Sequence, residues 1–574
     1  MGEQLALFEV AEPDPRAKYT TATAIVPREY QAAAVDNTYE GFATSVGCLV
    51  RLHTGAGKTI VGSLIAERWL AMGDEYRVLV IGHERQLVWQ FRDELRDVLV
   101  DVSIGVEMGT RRVQVGPTQP RVVIASRATL LDKTIEGDDG EPEVVSRVHK
   151  FDNKLNWLVI WDEAHKNAYG LRSVGHVADW FAVNDKSKRV GLTATPERTD
   201  GQTIESMFPY VASDFRLYDA KGGPCGVSEG YAVPYDQRYI TVDAVDFEKI
   251  ETVKGDYDQV ELDRILKKQE VVAGMVEPLL DLVEDRQTLV FCTTIESAKE
   301  TARYINSIKS PGADVDQRAA RTLDGTIDEA IRRKAYADHQ AARYQFLVVV
   351  GLCREGYNDR GISAIGILRP TKSRPLAEQM KGRGCRPLKG VVDGLATAEE
   401  RRQAIANSSK PNCLIVDLVG ATGLGDCAST AAIYAEGQPD EVIRRADEIA
   451  LDLAAEGSAV DMAEVVDQAI KDVARLAAAE AERIAQERAD QDARLAAKVR
   501  YEQRIVEHGG TSGRLHGNAA AGCVMPFGKH KGKDWSEVPD GYKRWMKSEM
   551  PGRYWSIVRR AAAVEKFQQT AGVE

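Results

Sequence analysis

Between Ile25 and about Arg238 the chain alternates short apolar runs with stretches of helical periodicity. The runs read VGCLVRL, RVLVIGH, RVVIAS, WLVIWDE and RVGLTAT. Each is nearly continuous in aliphatic and aromatic residues, the pattern of a strand covered on both faces. Alternation of such strands with helices predicts a doubly wound parallel sheet, whose chemistry sits on the loops after the strands. A second block, from about Tyr239 to Ala435, repeats the pattern with QTLVFCT, QFLVVVG, AIGILRP and NCLIVDL. The expected organisation is therefore two tandem α/β domains, 21–238 and 239–435.

Beyond 435 the pattern changes. Ala, Glu, Asp, Arg and Gln dominate, as in ARLAAAEAERIAQERADQDARLAAKVRYEQR. These are strong helix formers with i,i+4 charge pairs, so 436–510 is expected to form one or two long solvated helices, acting as a spacer or a partner surface. The apolar heptads of a coiled coil are weak here. A glycine-rich joint, HGGTSGRLHGNAAAG, leads to a small C-terminal module within 511–574. At the other end, residues 1–20 mix charge with proline and are expected to be a flexible tail.

The length of 574 residues fits several domains, and 44% hydrophobic with 28% charged residues is ordinary for a globular protein. A formal net charge of −12 excludes a chain that is basic throughout. It leaves room for a local basic groove. The eight cysteines form no CxxC pair. Their scatter indicates neither a zinc site nor a disulfide framework, and suits a reducing cytoplasm, the expected location. No apolar run approaches the roughly 20 residues of a membrane span.

Three strings carry chemistry. In TGAGKT (Thr54, Gly55, Ala56, Gly57, Lys58, Thr59), glycines let backbone N–H groups turn toward phosphates at a helix start. Lys58 would reach the β- and γ-phosphates of ATP and Thr59 would bind Mg²⁺. Leu52 stands where the strict pattern has a further glycine. In WLVIWDEAH, Asp162 would hold Mg²⁺ through water, and Glu163 would orient or deprotonate the attacking water. In QMKGRGCR, Arg383 and Arg386 lie three apart at the start of an expected helix, with Gln379 one turn earlier, and guanidinium groups suit the charge developing on a transferred phosphoryl group. Together the strings describe an ATPase site split between two domains.

With these strings in order, the chain resembles the superfamily 2 helicases and translocases of the restriction-subunit-R, XPB and UvsW-like branch. The resemblance covers roughly Ile25 to Ala435. It implies two RecA-like domains, ATP and Mg²⁺ as ligands, and movement on DNA. PREYQ resembles the adenine-recognition motif, so Gln31 would read the base edge and Arg28 would pack on the ring. GHERQLVWQ and IASRATL resemble motifs that grip a strand, implicating Arg85, Ser126, Arg127 and Thr129. GLTATPERTDG resembles motif III, where Thr193 and Thr195, with His165 of DEAH, would couple hydrolysis to movement. LVFCTT and REGYN resemble motifs IV and V, adding Thr293 and Arg354 as strand contacts. Motif V departs from its usual form: Asn358 takes the aspartate position, with Asp359 beside it as a candidate substitute, and Val350 replaces an opening threonine.

At the ends, QLALF (Gln4–Phe8) resembles the peptide with which bacterial repair proteins dock on the DNA sliding clamp. MPFGKHKGKDWSEVPDGYKRWM resembles a small bacterial and phage module. Its Lys529, Lys531 and Lys533, interleaved with Phe527, His530, Trp535, Tyr542 and Trp545, suit phosphate contact and base stacking, while the same rings also suit a small core. The expected function is that of an ATP-dependent DNA helicase or translocase of bacterial or phage origin, acting in replication, recombination or repair. The alternatives are the motor subunit of a restriction or defence system and a nucleotide-switched scaffold.

Overall fold

The computed structural model describes residues 26–571, apart from 83–84, 132, 137–141, 168–170, 196–203, 243, 254–255, 325–326, 351–358, 421–426 and 510–523. The chain divides into two compact units, one ending at Ala474 and one beginning at Arg475.

The first unit contains two parallel sheets. Strands β1 (Gly47–Leu52), β2 (Tyr76–Gly82), β3 (Ile104–Glu107), β4 (Val122–Ser126), β5 (Asn156–Trp161), β6 (Lys188–Thr193) and β7 (Tyr210–Phe215) form a seven-stranded sheet in the order β3-β4-β2-β5-β6-β1-β7. Every residue of β1, β4 and β5 is buried. That burial explains their apolar runs: helices cover both faces, leaving one core on each side.

The second sheet takes β8 (Tyr235–Val242), β9 (Thr288–Phe291), β10 (Ala320–Leu323), β11 (Phe346–Val349), β12 (Ala364–Ile367) and β13 (Cys413–Gly420) in the order β8-β13-β12-β9-β11-β10. All its pairings are parallel. The tandem doubly wound α/β fold expected from the apolar runs is therefore present. Strand β8 begins before the expected domain boundary at 238. Tyr235 pairs with Cys413, and its ring is buried in the second sheet's core.

The expectation of a solvated 436–510 needs correction as far as Ala469. The Asp440–Ala455 helix buries Val442, Ala446 and Ala450. Val460, Met462, Val465, Val466 and Ala469 join the same core, beside Ile415 and Tyr434. Gln237 N donates to Val460 O at 3.0 Å, so this segment covers the outer edge of β8. Small alanines make a narrow apolar stripe that average composition hides. From 474 to 500, by contrast, every residue is exposed.

In the second unit, the Met462–Gly509 helix continues, and the helices Asp540–Glu549 and Pro551–Ala571 belong to a small module. No helix among the described residues is long and apolar enough to cross a membrane.

Candidate functional site

The candidate residues of the first domain lie on one edge of its sheet. Strand β1 runs into Thr54–Thr59, β6 ends at Thr193, β5 is followed by Asp162, β2 precedes Arg85, and β4 ends at Ser126. Strand register sets their order: Arg51 lies opposite Thr193, Gly191 opposite Trp161, Ile81 opposite Trp161, and Gly82 opposite Ser126. A parallel sheet brings the carboxyl ends of its strands together, so residues far apart in sequence become neighbours.

The Thr54–Thr59 loop is held in shape by side chains. Gly55 and Gly57 adopt φ of 91° and 85°, conformations that favour glycine, and Gly57 caps the Lys58–Leu70 helix. The Ala56 carbonyl accepts from Tyr30 Oη at 2.7 Å and from Gln31 Nε2 at 2.9 Å. Gln31 Oε1 accepts from Arg28 N at 2.9 Å, which caps the Glu29–Gly41 helix. The Arg28 guanidinium lies 4.9 Å from the Tyr231 ring, and Tyr30 stacks on Phe215 at 4.1 Å. The expected adenine-reading residues are thus joined to the phosphate loop itself. Buried His53, whose Nδ1 donates to Thr54 O at 2.9 Å, is pushed down to about 4, chiefly by burial and also by nearby Lys58 and Arg28. It is neutral at physiological pH.

Lys58 Nζ lies 3.8 Å from Glu163 Oε1. Glu163 takes a left-handed φ of 47°, unusual for a residue with a side chain, so the turn after β5 carries local strain. His165 Nδ1 is 2.8 Å from Thr193 Oγ1 and 3.5 Å from Glu163 Oε2. Thr193 Oγ1 donates to Thr195 O at 2.7 Å, which leaves it to accept from His165 Nδ1–H. Asp162, His165, Thr193 and Thr195 are all buried. His165 thus stands between the carboxylate beside Lys58 and the end of β6.

The second domain supplies the other wall. Gln379 lies in the Arg374–Lys381 helix, whereas Arg383 and Arg386 follow its end, so the expectation that they open a helix is corrected. Gly382 N donates back to Glu378 O at 2.8 Å and closes the helix. A side chain at Gly382 would meet Thr54 Cβ at 2.5 Å, and one at Gly55 would meet Arg386 Nε at 2.7 Å. The Cys385 thiol lies 3.0 Å from Thr54 O and 3.1 Å from Gly382 O. Arg386 is lowered to about 10 by burial first and then by the neighbouring Arg383. Two crowded guanidinium groups and Lys58 around a glycine-lined loop suit a polyphosphate, and buried Thr54 Oγ1 has no protein partner among the described residues. A Mg²⁺ ion would be held by Thr59 and Asp162, hard oxygen ligands suited to it.

An ion cluster beside this wall escaped the sequence reading. Buried Arg51, in β1, donates from Nη2 to Glu436 Oε2 at 2.5 Å and from Nε to Ala194 O at 3.0 Å, and its Nη1 lies 3.3 Å from Asp214. Glu436 also meets Arg374 at 2.9 Å. Nearby buried Glu378 is pushed up to about 7 by burial, against the opposing pull of Arg51. The one available signal was a charged residue inside the buried run VGCLVRL.

Among the residues expected to grip a strand, Arg85 is exposed at the start of the Arg85–Val98 helix. Arg127 opens the short helix after β4 and is half-buried. Ser126 Oγ and Thr129 Oγ1 lie 2.7 Å apart, and Thr129 Oγ1 accepts from Gly109 N at 3.2 Å, so both hydroxyls first serve the turn. Thr293, just after β9, is buried. Arg354 and Asn358 lie outside the described residues, as do Gln4–Phe8. Asp359, the candidate substitute in motif V, is buried: it accepts from Gly361 N at 2.7 Å and lies 3.2 Å from His339 Nδ1.

Residues 24–198 match the family described as "Type III restriction enzyme, res subunit", and residues 271–387 match "Helicase conserved C-terminal domain". IRC3 of Saccharomyces cerevisiae, by its description an ATP-dependent helicase, is 22% identical over 417 residues, covering 70% of this chain and 53% of its own length. A "51.5 kDa protein" of a Lactococcus phage is 22% identical over 338 residues, covering 59% of this chain and 62% of its own length. The chain thus spans between about half and three fifths of these relatives. Among solved structures, an HsdR-subunit fragment of a type I restriction enzyme from Vibrio vulnificus YJ016 aligns with a TM-score of 0.47 at 18% identity, covering 74% of this chain and 68% of that one.

Proposed function

The chain belongs to the superfamily 2 helicases, on their restriction-subunit-R-like branch, and we propose that it hydrolyses ATP to move along DNA. The observation that carries this reading is the seating of Arg386, from the second domain, against Gly55 in the phosphate loop of the first. A site assembled from two domains ties the chemistry to the angle between them.

In this reading Gln31 and Arg28 select the base, and Lys58 with the loop N–H groups orients the phosphates. Thr59 and Asp162 would hold Mg²⁺, whose charge would offset that of the phosphates. Glu163 takes the proton of the attacking water, and Gln379, Arg383 and Arg386 stabilise the charge that builds on the departing phosphoryl group. His165, Thr193 and Thr195 carry the change to the strand-facing edge. Arg85, Ser126, Arg127, Thr129 and Thr293, joined by Arg354 from outside the described residues, hold phosphates without reading sequence. The pathway we favour is replication, recombination or repair in a bacterial or phage setting, with Gln4–Phe8 as a clamp-docking peptide. The match to a restriction subunit supports the second reading, a motor working beside a nuclease partner.

The test is ATPase rate against single-stranded, forked and duplex DNA and matching RNA. DNA should stimulate turnover, and Glu163→Gln and Arg386→Ala should each abolish it while nucleotide binding persists. Turnover unmoved by any nucleic acid would favour a nucleotide-switched scaffold, and normal turnover in Glu163→Gln would remove that residue's role as base.

A further inference from the structure

The module at the end of the chain has more aromatic surface than its core uses. Met525, Val538, Met546 and Ile557 form the core, with Phe527, Trp535, Tyr542 and Tyr554 packed partly against it. Trp545 and Trp555 stay 45% and 48% exposed. Two half-exposed tryptophans on so small a module serve recognition better than packing.

Their surroundings are basic. Between Val524 and Ala562 nine Lys and Arg face four Asp and Glu, in a chain whose net charge is −12. One of the four, Asp534, is used to cap a helical turn at Ser536 N. The rings form a connected row: Trp535 meets Tyr554 at 5.8 Å, and Tyr554 meets Trp555 at 5.3 Å. Lysines from the Asp540–Glu549 helix stand over it, Lys543 at 5.3 Å from the Trp535 ring and Lys547 at 5.7 Å from the Trp555 ring. Their spacing of four residues places both on one helix face.

We propose that the Trp535, Tyr554 and Trp555 row, with Lys543 and Lys547, binds single-stranded nucleic acid, stacking bases on the rings and placing phosphates on the lysines. A cation over an exposed ring is worth only about two- to fivefold in an equilibrium constant. A stacked base is worth about fivefold to a hundredfold or more. Bases therefore displace the ammonium groups, which are then free for the phosphates on either side. Duplex DNA hides its base faces and gains only the charge contribution. The site is additional to the motor's own grip and does not depend on it.

The test is fluorescence anisotropy of the full-length chain with labelled oligothymidylate, oligouridylate and a duplex of equal length, across a salt series. Trp555→Ala should weaken binding of the single strands about tenfold, and Trp555→Phe should keep most of it. Lys543→Glu with Lys547→Glu should lower the salt slope by about two. Comparison of the oligothymidylate and oligouridylate arms separates DNA from RNA as the ligand. The strand concentration for half-maximal ATPase should rise in Trp555→Ala while the rate at saturation holds. If wild-type ATPase ignores nucleic acid yet Trp555→Ala still weakens binding, the motor reading fails and this site stands. Single-strand affinities within twofold of wild type in both the Trp555→Ala and lysine variants would overturn the proposal, as would equal weakening of duplex binding. The lysine pair, Lys547 exposed and Lys543 half-buried, keeps the test valid should Trp555→Ala disturb the fold.

Discussion

Arg51 and Glu436, 385 positions apart in sequence, meet at 2.5 Å across the two α/β domains, with both side chains buried. Arg51 stands three residues before the phosphate loop and also holds the Ala194 carbonyl between Thr193 and Thr195. The pair therefore joins three parts of the site. Replacing Glu436 leaves buried Arg51 with Asp214, at 3.3 Å, as its remaining counter-charge. We expect Glu436→Gln to cost about 2 kcal/mol in denaturant unfolding and to lower kcat/KM for ATP. Pairing it with Arg51→Met should show a coupling of about 1–3 kcal/mol. Simple additivity in that cycle would mean the ion pair carries no linkage.

Gly382 is a second test of domain approach. A methyl group there would press on Thr54 Cβ at 2.5 Å and on the Glu378 carbonyl at 2.8 Å, neither of which can swing aside. Gly382→Ala should move Arg383 and Arg386 off the phosphate loop and lower kcat about a hundredfold, the typical effect of a misplacement near 1 Å. Binding of a fluorescent nucleotide by the first domain should change little, so parallel titration and turnover measurements would separate the two effects.

Buried Glu378 makes stability depend on pH. Its carboxyl is raised from an ordinary 4.5 to about 7, so between those values the folded chain holds a proton that the unfolded chain has released. The contribution is complete below about 4.5 and is lost as pH rises toward 7. Glu378→Gln mimics the protonated form. The melting temperature of this variant relative to wild type should rise between pH 5 and pH 8, and a flat difference would show that Glu378 titrates normally.

The Asp440–Ala469 stretch should be part of the second domain's fold. Eight of its residues, from Val442 to Ala469, are buried in the core beneath the second sheet. A chain ending after Ala474 should keep the cooperative melt and ATPase rate of the whole protein. One ending after Ala435 should lose several kcal/mol, since each buried aliphatic side chain contributes on the order of 1–3 kcal/mol. Comparison of the two truncations by circular dichroism and turnover checks this.

Much of the candidate site was legible because its signals are local. TGAGKT and DEAH each follow a buried apolar strand, and strand, turn and helix signals agree at both places. The second sheet was legible for the same reason, apart from Tyr235–Arg238, whose place in β8 is decided by pairing with Cys413 and its neighbours. The Arg51–Glu436 pair was not, because neither residue carries a local signal of its partner. Arg383 and Arg386 do not open a helix as expected, since the preceding helix ends at Gly382, where a side chain would meet Thr54. Asp440–Ala469 misled by composition: Ala446, Ala450 and Ala469 are buried in a stretch rich in Asp, Glu and Arg, and averaging over it hides the stripe.

The carbonyls of the phosphate loop have a consequence for timing. Ala56 O is held by Tyr30 and Gln31, and Thr54 O by His53 and the Cys385 thiol. A loop braced at its first and third residues is preset for its ligand, so little ordering has to accompany capture of a triphosphate. Association should then be governed by diffusion and by how often the passage between the domains stands open. The waiting step belongs to the doorway rather than to the cradle.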